Sequence, residues 1–478
     1  MVLEVPISQV LHAFEDAPKV VYSKEGIEKS KSGTSILGVG DSRSVMFQQR
    51  YYMILQQLFR DSKFVDTARG RRGAEFPMIS FFGAEEAKKA SQAINSQSLL
   101  LIHSSEPEES AWRFEITPVE SLPGSTGIKI VFGMICKGED GRLQVEDIHQ
   151  SVPMKIDKVK ASNDLITDNT FVLVKGEMID EVFVAYEMTL PPIPRKSLCE
   201  ASINLFGGPT ELTEEIVVHT VGQAPEDASV AILSNVLLDV PSTLEKLNLL
   251  FTGFEECDAV PSVFVLMGNL SSKPFNPSSG DSLRSFQKSF EALAQLLGRH
   301  PATLEKSKIV IVPGNTDPGN GLYPQPPLSD ILVRGLASRF PNVVLSTNPC
   351  RLRFHNKQIM LFSGDVVDSL RRSKLVASYH SADEEEGDKF ARSILSQMHL
   401  TPGPVRNRAV VWDHDAGMRV YPPPHALFIA DPNLNAFQKD LYGENFVVGM
   451  PSFASTTEST GEFHLYSPHS NESSLSNV

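Results

Sequence analysis

Three short loops hold residues that could do chemistry, and each follows an apolar run typical of a buried strand. They read SNVL at 234–237, GNLSS at 268–272 and GNTD at 314–317. A fourth loop, ADPN at 430–433, follows a later apolar run. Loops at the carboxyl ends of neighbouring strands meet at one edge of a layered α/β sheet, where such proteins place their binding sites. The four loops therefore define the candidate site.

Hydrolysis with two metal ions is the chemistry that this framework suggests. Paired divalent cations need carboxylate or imidazole ligands, and a water bound between them becomes the nucleophile. An active two-metal phosphoesterase carries SDxH, GDxxD and GNHD in the first three loops and GHxH in the fourth. The positions of this chain that correspond to those ligands are Asn235, Leu237, Asn269, Ser272, Asn315, Thr316, Asp317, Asp431 and Asn433.

Most of these positions have lost the ability to hold a metal ion. Asparagine is a neutral oxygen donor, leucine cannot ligate, and only Asp317 and Asp431 carry negative charge. Two carboxylates leave too little charge for a pair of divalent cations, so we predict no catalytic residues, no metal and no cofactor. The sequence Asp-Pro-Gly at 317–319 makes a rigid turn, which gives Asp317 a backbone role instead.

Two other groups contain residues that could do chemistry. His399, in SQMHLTP, is predicted to lie at the C-terminal end of a helix, where its imidazole packs or bonds to backbone carbonyls. Asp413, His414 and Asp415 are interpreted as a turn with a salt-linked histidine, because no further ligands lie nearby in sequence. The chain has no GxxxxGKS loop, no GxGxxG after a strand and no GxSxG elbow.

Composition favours a protein of two or three domains that works with other proteins. The 478 residues are 41% hydrophobic, and none of the apolar runs is long enough for a membrane span. The N-terminus does not resemble a secretory signal. Four widely spaced cysteines without a CxxC pair are typical of reduced thiols in an intracellular protein. The net charge of −14 favours protein partners over tight DNA binding. Two short basic clusters, at 69–72 and 371–372, are predicted to be ordinary surface.

The chain divides into four predicted segments. Residues 1–111 form an irregular lead-in with one amphipathic helix that begins at residue 41 or 42 and ends near Asp61. Residues 112–192 form a β domain, residues 200–470 form an α/β domain that turns to β after residue 349, and residues 471–478 belong to a polar tail expected to be disordered from Ser467 onward. Within the lead-in, residues 78–83 and 98–103 could be strands.

The β domain is predicted to be a small barrel of the OB type. Its number and spacing of short strands suit that fold, and the predicted strands are 129–135, 143–147, 152–156, 171–177 and 181–187. OB-fold barrels bind single strands through aromatic residues on a basic groove. Aromatic residues are few here, whereas acidic residues are common, so we favour packing or protein docking; the aromatic residues are Phe132, Phe171, Phe183 and Tyr186.

The α/β domain is predicted from alternating strands and helices. A capping box, Ser242 to Glu245, is expected to open a helix over 243–251, and an amphipathic helix is expected over 281–297. The acidic run at 383–388 is interpreted as a solvated loop before a helix over 389–399. The predicted strands are 230–233, 262–267, 308–312, 351–354, 358–362, 426–430, 446–449 and 462–466.

A series of sequence pieces in a fixed order resembles the B subunits of eukaryotic replicative DNA polymerases, and most closely their epsilon branch. The pieces are INLFGGP, ILSNVLLDVPSTLEKL, VFVLMGNLSS, IVPGNTDPG, YPQPPLSD, TNPCRLRF, ILSQMHLTP and MRVYPPPHALFIAD. With MFQQRYYMILQQLFR upstream, the resemblance extends from about residue 14 to the C-terminus. The chain departs from the family in the GMPSF at 449–453, where the family tends to have NPGSF, and in a longer segment at 65–110.

The resemblance implies a fold of the α/β + β class and a noncatalytic role. The fold would be an OB-fold barrel packed with a calcineurin-like metallophosphoesterase layered β-sandwich with flanking helices. Such a subunit is a nuclear scaffold that grips the C-terminal zinc region of the catalytic subunit and helps tie it to replicative helicase components, with weak or indirect DNA contact. The helical domain that makes helicase contacts in the family is not found in this sequence. The alternatives are an active metal-dependent phosphodiesterase or exonuclease, and a single-strand DNA binder acting through the barrel.

Overall fold

The computed structural model describes most of the chain, and the description covers residues 7–12, 20–23, 26–29, 41–60, 64–66, 114–159, 164–196, 224–319, 322–355, 357–376, 386–403, 409–441, 443–454 and 460–478. The possible strands at 78–83 and 98–103 and the basic cluster at 69–72 lie outside these residues. None of the described helices is long and apolar enough to cross a membrane.

The N-terminal part and the barrel contain one long helix and ten strands among the described residues. The elements are β1 (Ile7–His12), β2 (Val20–Ser23), β3 (Gly26–Lys29), α1 (Ser42–Arg60), β4 (Phe64–Asp66), β5 (Phe114–Ile116), β6 (Lys129–Lys137), β7 (Leu143–Glu146), β8 (Ser151–Lys155), β9 (Phe171–Ile179) and β10 (Val182–Thr189). The prediction of an irregular lead-in missed β1 to β3. The five predicted barrel strands are confirmed to within about two residues at each end.

Strands β6 to β10 close into a five-stranded barrel. The strand order is β6-β7-β8-β10-β9, and β9 pairs again with β6 to complete the circle. All these pairings are antiparallel except β8 with β10, which is parallel. Apolar side chains at alternate positions fill the interior, as the period of two along a strand requires. They include Val131, Val145, Val172, Val174 and Phe183.

Helix α1 packs across the outside of the barrel. Its apolar residues recur at helical spacing, as predicted, and Met46, Ile54 and Leu58 are almost fully buried. Two of them, Ile54 and Leu58, share a core cluster with Phe132 and Phe171 of the barrel. Burial of each such side chain contributes about 1.5–3 kcal/mol. Strand β4, which follows the helix, extends the barrel sheet by pairing with β5.

The larger domain follows the barrel. Its elements are β11 (Val230–Leu233), α2 (Pro241–Glu256), β12 (Val263–Met267), α3 (Gly280–Leu297), α4 (Pro301–Lys306), β13 (Lys308–Val312), β14 (Leu322–Tyr323), α5 (Leu336–Arg339), β15 (Val343–Leu345), β16 (Cys350–Phe354), β17 (Lys357–Ser363), α6 (Val367–Arg372), α7 (Glu386–Ser396), β18 (Ala409–Val410), β19 (Ala426–Ala430), β20 (Phe437–Leu441), β21 (Asn445–Gly449), β22 (Glu462–Ser467) and β23 (Glu472–Asn477).

Two six-stranded sheets form the centre of this domain. The first has the order β15-β13-β12-β11-β22-β23, and the second has the order β1-β16-β17-β19-β21-β20. One face of each sheet contributes to a shared core, in which Ile232 and Val265 of the first sheet cluster with Leu361 and Phe428 of the second. The opposite face of the first sheet packs under α2 and α3, and that of the second sheet packs under α6 and α7.

Four details of the sequence prediction are wrong. Helix α2 begins at Pro241 and its N-cap, Val240, makes no side-chain bond, so the expected capping box is absent from this helix start; proline at the first helical position needs no N–H acceptor. Residues 386–388 of the acidic run form the first turn of α7, where negative charge suits the helix dipole, and residues 383–385 lie outside the described residues. The C-terminal tail is ordered as β23, which pairs with β22. Helix α7 ends at Ser396, before His399.

Candidate functional site

The four predicted loops do converge at the carboxyl ends of the central strands. The loop after β12 meets the loop after β13, since the Asn269 side chain accepts a bond from the Thr316 N–H at 3.0 Å. The second sheet reaches the same place, because the Ser363 hydroxyl at the end of β17 donates to the Gly268 carbonyl at 2.7 Å. Gly364, the next residue, donates its N–H to the Ala430 carbonyl at the end of β19.

Asp317 is fully buried and holds two of these loops together. Its carboxylate accepts the Leu270 N–H at 3.0 and 3.1 Å and the Gly314 N–H at 2.7 Å. A further backbone bond comes from Ser271. Burial raises the pKa of Asp317 to about 7, and these backbone bonds act in the opposite direction. The carboxylate therefore has the backbone role predicted from the Asp-Pro-Gly sequence.

Asp431 does the same for the loops of the second sheet. One carboxylate oxygen accepts the N–H groups of Val366 and Val367 at 2.7 and 3.0 Å, at the start of α6. The other oxygen accepts the Asn433 N–H at 2.9 Å. Burial raises the pKa of Asp431, against the effect of these bonds. Both surviving carboxylates thus point their oxygens at backbone donors.

The neutral residues at the remaining positions also have protein partners. The Asn235 side chain, on a residue with positive φ, donates to the Ser452 hydroxyl at 2.6 Å. The Asn315 side-chain oxygen accepts a bond from the Tyr323 hydroxyl at 2.6 Å. The Thr316 hydroxyl donates to the Ser271 carbonyl at 2.6 Å. Leu237 has an apolar side chain and offers no ligand atom.

Two acidic residues near these loops were missed in the sequence. The Asp239 carboxylate accepts bonds from the N–H and the hydroxyl of Ser272, at 2.9 and 2.5 Å. The Asp365 carboxylate accepts a bond from the Asn433 side chain at 3.0 Å. Asp239 fits neither a GDxxD nor a GHxH spacing, whereas Asp365 is the first aspartate of a GDxxD sequence, GDVVD at 364–368, which follows β17 rather than β12. Each is bound to a residue that stands at a former ligand position.

The arrangement provides hydrogen bonds between loops and lacks a converging ligand set. Across the residues that the structure describes, no three His, Cys, Asp or Glu side chains come together as a group that could hold a metal ion. The residues present at the loops therefore do not fit a two-metal centre, which needs several carboxylates or imidazoles.

The predicted His399 and Asp413–Asp415 groups meet each other instead of the four loops. The Asp415 carboxylate lies 3.0 Å from His399 Nε2 and accepts bonds from Arg50 of α1 and Arg419. His399 Nδ1 accepts the Thr401 N–H at 3.1 Å, so the predicted bond from the imidazole to backbone carbonyls is wrong. Asp415 is linked to His399, a histidine that lies outside the predicted turn. The side chain of Asp413 lies outside the described residues.

Burial and neighbouring charges together set the protonation states of His399 and Asp415. Burial lowers the pKa of His399 to about 4, so the imidazole is neutral at pH 7. Burial alone would raise the pKa of Asp415, but Arg50, His399 and Arg419 hold it well below its ordinary value. The network joins α1 to the larger domain, since Arg50 and Asp415 belong to these two parts of the chain.

Further polar contacts fix the barrel against the larger domain. The Gln397 side chain accepts the Phe171 N–H and donates to the Phe171 carbonyl, both at 2.8 Å. The Leu375 N–H donates to the Ile166 carbonyl at 2.9 Å. These bonds use backbone groups of the barrel itself, so the two domains present one continuous surface.

In the part of the barrel that the structure describes, most of the aromatic side chains singled out in the sequence are buried. Of the aromatic residues predicted from sequence, Phe132 and Phe171 are buried under α1, and Phe183 is in the barrel core. Tyr186 donates its hydroxyl to Glu177. OB-folds bind oligonucleotides beside the loops after their first and fourth strands. Here those loops carry acidic residues, namely Glu139, Asp140, Asp180 and Glu181.

Comparisons with known proteins match both halves of the chain. A family described as the B subunits of DNA polymerases alpha and epsilon matches residues 230–439. A family described as DNA polymerase epsilon subunit 2-like, OB-fold domain, matches residues 40–192. That match confirms the OB-fold and takes in α1 and β4, which the predicted boundary at residue 112 leaves out.

Individual relatives agree with the family matches. The DNA polymerase epsilon B subunit of Arabidopsis thaliana is 34% identical over 372 residues, which are 76% of this chain and 69% of that protein. DNA polymerase epsilon subunit 2 of Homo sapiens is 30% identical over 440 residues, 89% of this chain and 76% of that protein. A solved archaeal phosphodiesterase overlaps 52% of this chain and 99% of its own at 8% identity and a TM-score of 0.27, too low to support an argument.

An OB-fold barrel joined to an α/β domain with these matches defines a class, the accessory B subunits of replicative DNA polymerases, which are distinct from the catalytic subunits. Within this class, the sequence identity to the two relatives and the share of each chain that the alignments cover show the particular family. The chain belongs to the family of DNA polymerase epsilon B subunits, also called the second subunits of that polymerase.

Proposed function

We propose that this chain is a noncatalytic scaffold of the DNA polymerase epsilon holoenzyme in nuclear DNA replication. It binds the C-terminal zinc region of the catalytic subunit and helps link that subunit to the replication fork. The observation that carries this proposal is the use of Asp317 and Asp431, the last carboxylates at the former ligand positions, as acceptors for backbone N–H groups.

A calcineurin-like phosphoesterase fold without its metals supplies shape rather than chemistry. Each loop that would carry ligands is cross-linked to a neighbour by side-chain bonds, which keeps the loops in place without metal ions. The bonds of Gln397 and Arg50 hold the barrel and the larger domain in one orientation. A partner can therefore dock on a preformed surface and loses little entropy to ordering it.

The charge balance supports protein partners. With a net charge of −14, the chain repels phosphate backbones except at local basic patches. Contact with DNA is accordingly proposed to be weak or indirect, and contact with replicative helicase components is proposed to run through the assembled complex.

Co-purification with the catalytic subunit tests the proposal. The full chain and the C-terminal zinc region of the catalytic subunit, mixed at micromolar concentration, are expected to elute together in gel filtration. Removal of zinc with a chelator is expected to abolish the complex, because zinc modules of this kind need the metal to fold. Separate elution with zinc present would contradict the proposal.

An active phosphodiesterase or exonuclease is the alternative that the loops themselves suggest. It predicts manganese-dependent hydrolysis of DNA that is lost in Asp317→Ala, whereas our proposal predicts the same background rate for both proteins. The single-strand binder predicts tight, salt-sensitive binding of an oligonucleotide. The acidic loops of the barrel oppose such binding.

A further inference from the structure

The C-terminal strand β23 forms an open edge of the first sheet. It pairs with β22 over its whole length, from Glu472 opposite Ser467 to Asn477 opposite Glu462, without a register shift. Among the strands that the structure describes, none pairs with its other side. An open edge carries backbone donors and acceptors that can bind the strand of another protein.

The hydrogen-bond register shows which backbone groups face outward. The Val478 N–H donates to the Gly461 carbonyl at 3.0 Å, so residues 478 and 461 form a hydrogen-bonded pair. Hydrogen-bonded pairs alternate with non-bonded pairs along an antiparallel ladder. The residues that direct their N–H and C=O groups away from β22 are therefore Ser473, Leu475 and Asn477.

The other edges of the two sheets are short, irregular or covered, whereas β23 is none of these. Strand β1 has a register shift between Ile7 and Gln9 in its pairing with β16. Strand β15 has only three residues. Strand β20 packs beside α7, and its Lys439 forms an ion pair with Asp388 at 2.6 Å. Proteins protect long edges with lysine, proline or bulges. Strand β23, with the sequence ESSLSN, has none of these, and its Leu475 is 52% exposed.

We propose that β23 accepts a seventh strand from the catalytic subunit of the polymerase, an inference that rests on the proposed function. The incoming segment is extended and offers backbone partners to the outward groups of the edge. It places an apolar side chain beside Leu475, which lies opposite His464 on the face of the sheet that leads to the inner core. Lysine or arginine at its ends suits Glu472 and Glu462, the acidic residues at the two ends of the β22–β23 hairpin.

Hydrogen exchange in the complex with the full-length catalytic subunit tests the register directly. In the isolated chain, the amides of residues 473, 475 and 477 are expected to exchange quickly, whereas those of residues 474 and 476 are already protected by β22. In the complex, the three outward amides are expected to slow at least tenfold, with little change at their neighbours. Equal exchange of the outward amides in the free and bound chain would overturn the inference.

A pair of substitutions at Leu475 separates the contribution of its backbone N–H to binding from that of its side chain. Leu475→Pro removes one outward N–H and no bond to β22, and it is expected to weaken binding of the catalytic subunit at least tenfold. Leu475→Ala keeps every backbone group and is expected to weaken it only two- to threefold. A thermal melt checks that both variants fold. If Leu475→Pro does not fold, the hydrogen-exchange experiment on the unmodified chain tests the strand addition on its own.

The outcomes distinguish this inference from the proposed function. If a folded Leu475→Pro variant binds as tightly as the unmodified chain, the strand addition is wrong while the scaffold function stands. If the unmodified chain does not bind the catalytic subunit, both are wrong.

Discussion

Replacing Asp317 by asparagine tests the idea that this residue serves the backbone. The carboxylate accepts N–H groups from Leu270, Ser271 and Gly314 in a fully buried position. Asparagine keeps one acceptor oxygen and replaces the other by an NH2 group, which cannot accept a bond from an N–H. At least one backbone donor is then left without an acceptor.

The expected loss of stability follows from the number of bonds broken. An unsatisfied buried polar group costs about 1–3 kcal/mol, and Asp317→Asn creates at least two, the backbone N–H and the new side-chain NH2. Removing a buried charge recovers part of this cost. We expect the free energy of unfolding in urea to fall by about 2–4 kcal/mol. Asp157→Asn, at an exposed turn, is the control and is expected to change it by less than about 0.5 kcal/mol.

The pH dependence gives this experiment a second readout. The pKa of Asp317 is about 7 in the folded chain, above its ordinary value of about 3.9 in an unfolded chain. The folded state then binds more protons between these values, so the stability that Asp317 contributes decreases as pH rises from about 4 to about 7. A variant as stable as the unmodified chain at both ends of this range would refute the backbone role.

Three further substitutions have definite expected outcomes. Asp415→Asn leaves the buried Arg50 and Arg419 without their anion and is expected to lower the free energy of unfolding by about 3–5 kcal/mol in urea; a loss below about 1 kcal/mol would contradict the network. Gly268→Ala places a Cβ against Gly314 N and the Asp317 carboxylate, and overpacking of this kind costs about 1–3 kcal/mol or more in thermal melts. Burial lowers the pKa of His464 to about 4, so stability is lost as pH falls from about 6.5 to 4; His464→Gln is expected to reduce that slope by about 1.4 kcal/mol per pH unit.

The central strands of both domains could be predicted from sequence because their apolar patterns are strong. The residues at 230–233, 263–267 and 309–312 are continuously apolar and rich in valine and isoleucine, which is typical of strands buried on both faces. The strand β23 could not be predicted in this way, since a Ser-rich edge exposed on both sides has no hydrophobic period. Its strand structure depends on backbone pairing with β22 and not on the β-propensity of its residues.

The candidate site was predictable in its position and only partly in its contacts. The order of strands and loops places the former ligand positions together, and the turn chemistry of Asp317 indicates a backbone role. The partners of Ser272 and Asp415 depend on residues distant in sequence, Asp239 and Arg50, which no local motif identifies. Residues 386–388 in the first turn of α7 were misassigned to a loop because solvation and a helix N-terminus favour the same residues.

Metal analysis of the purified chain tests the central claim most directly. The full chain, purified without chelator and then equilibrated with excess manganese, is passed through a desalting column and measured by plasma mass spectrometry. We expect no stoichiometric manganese, iron or zinc, and no change on Asp317→Ala. Two metal ions for each chain, lost together in Asp317→Ala, would contradict the account.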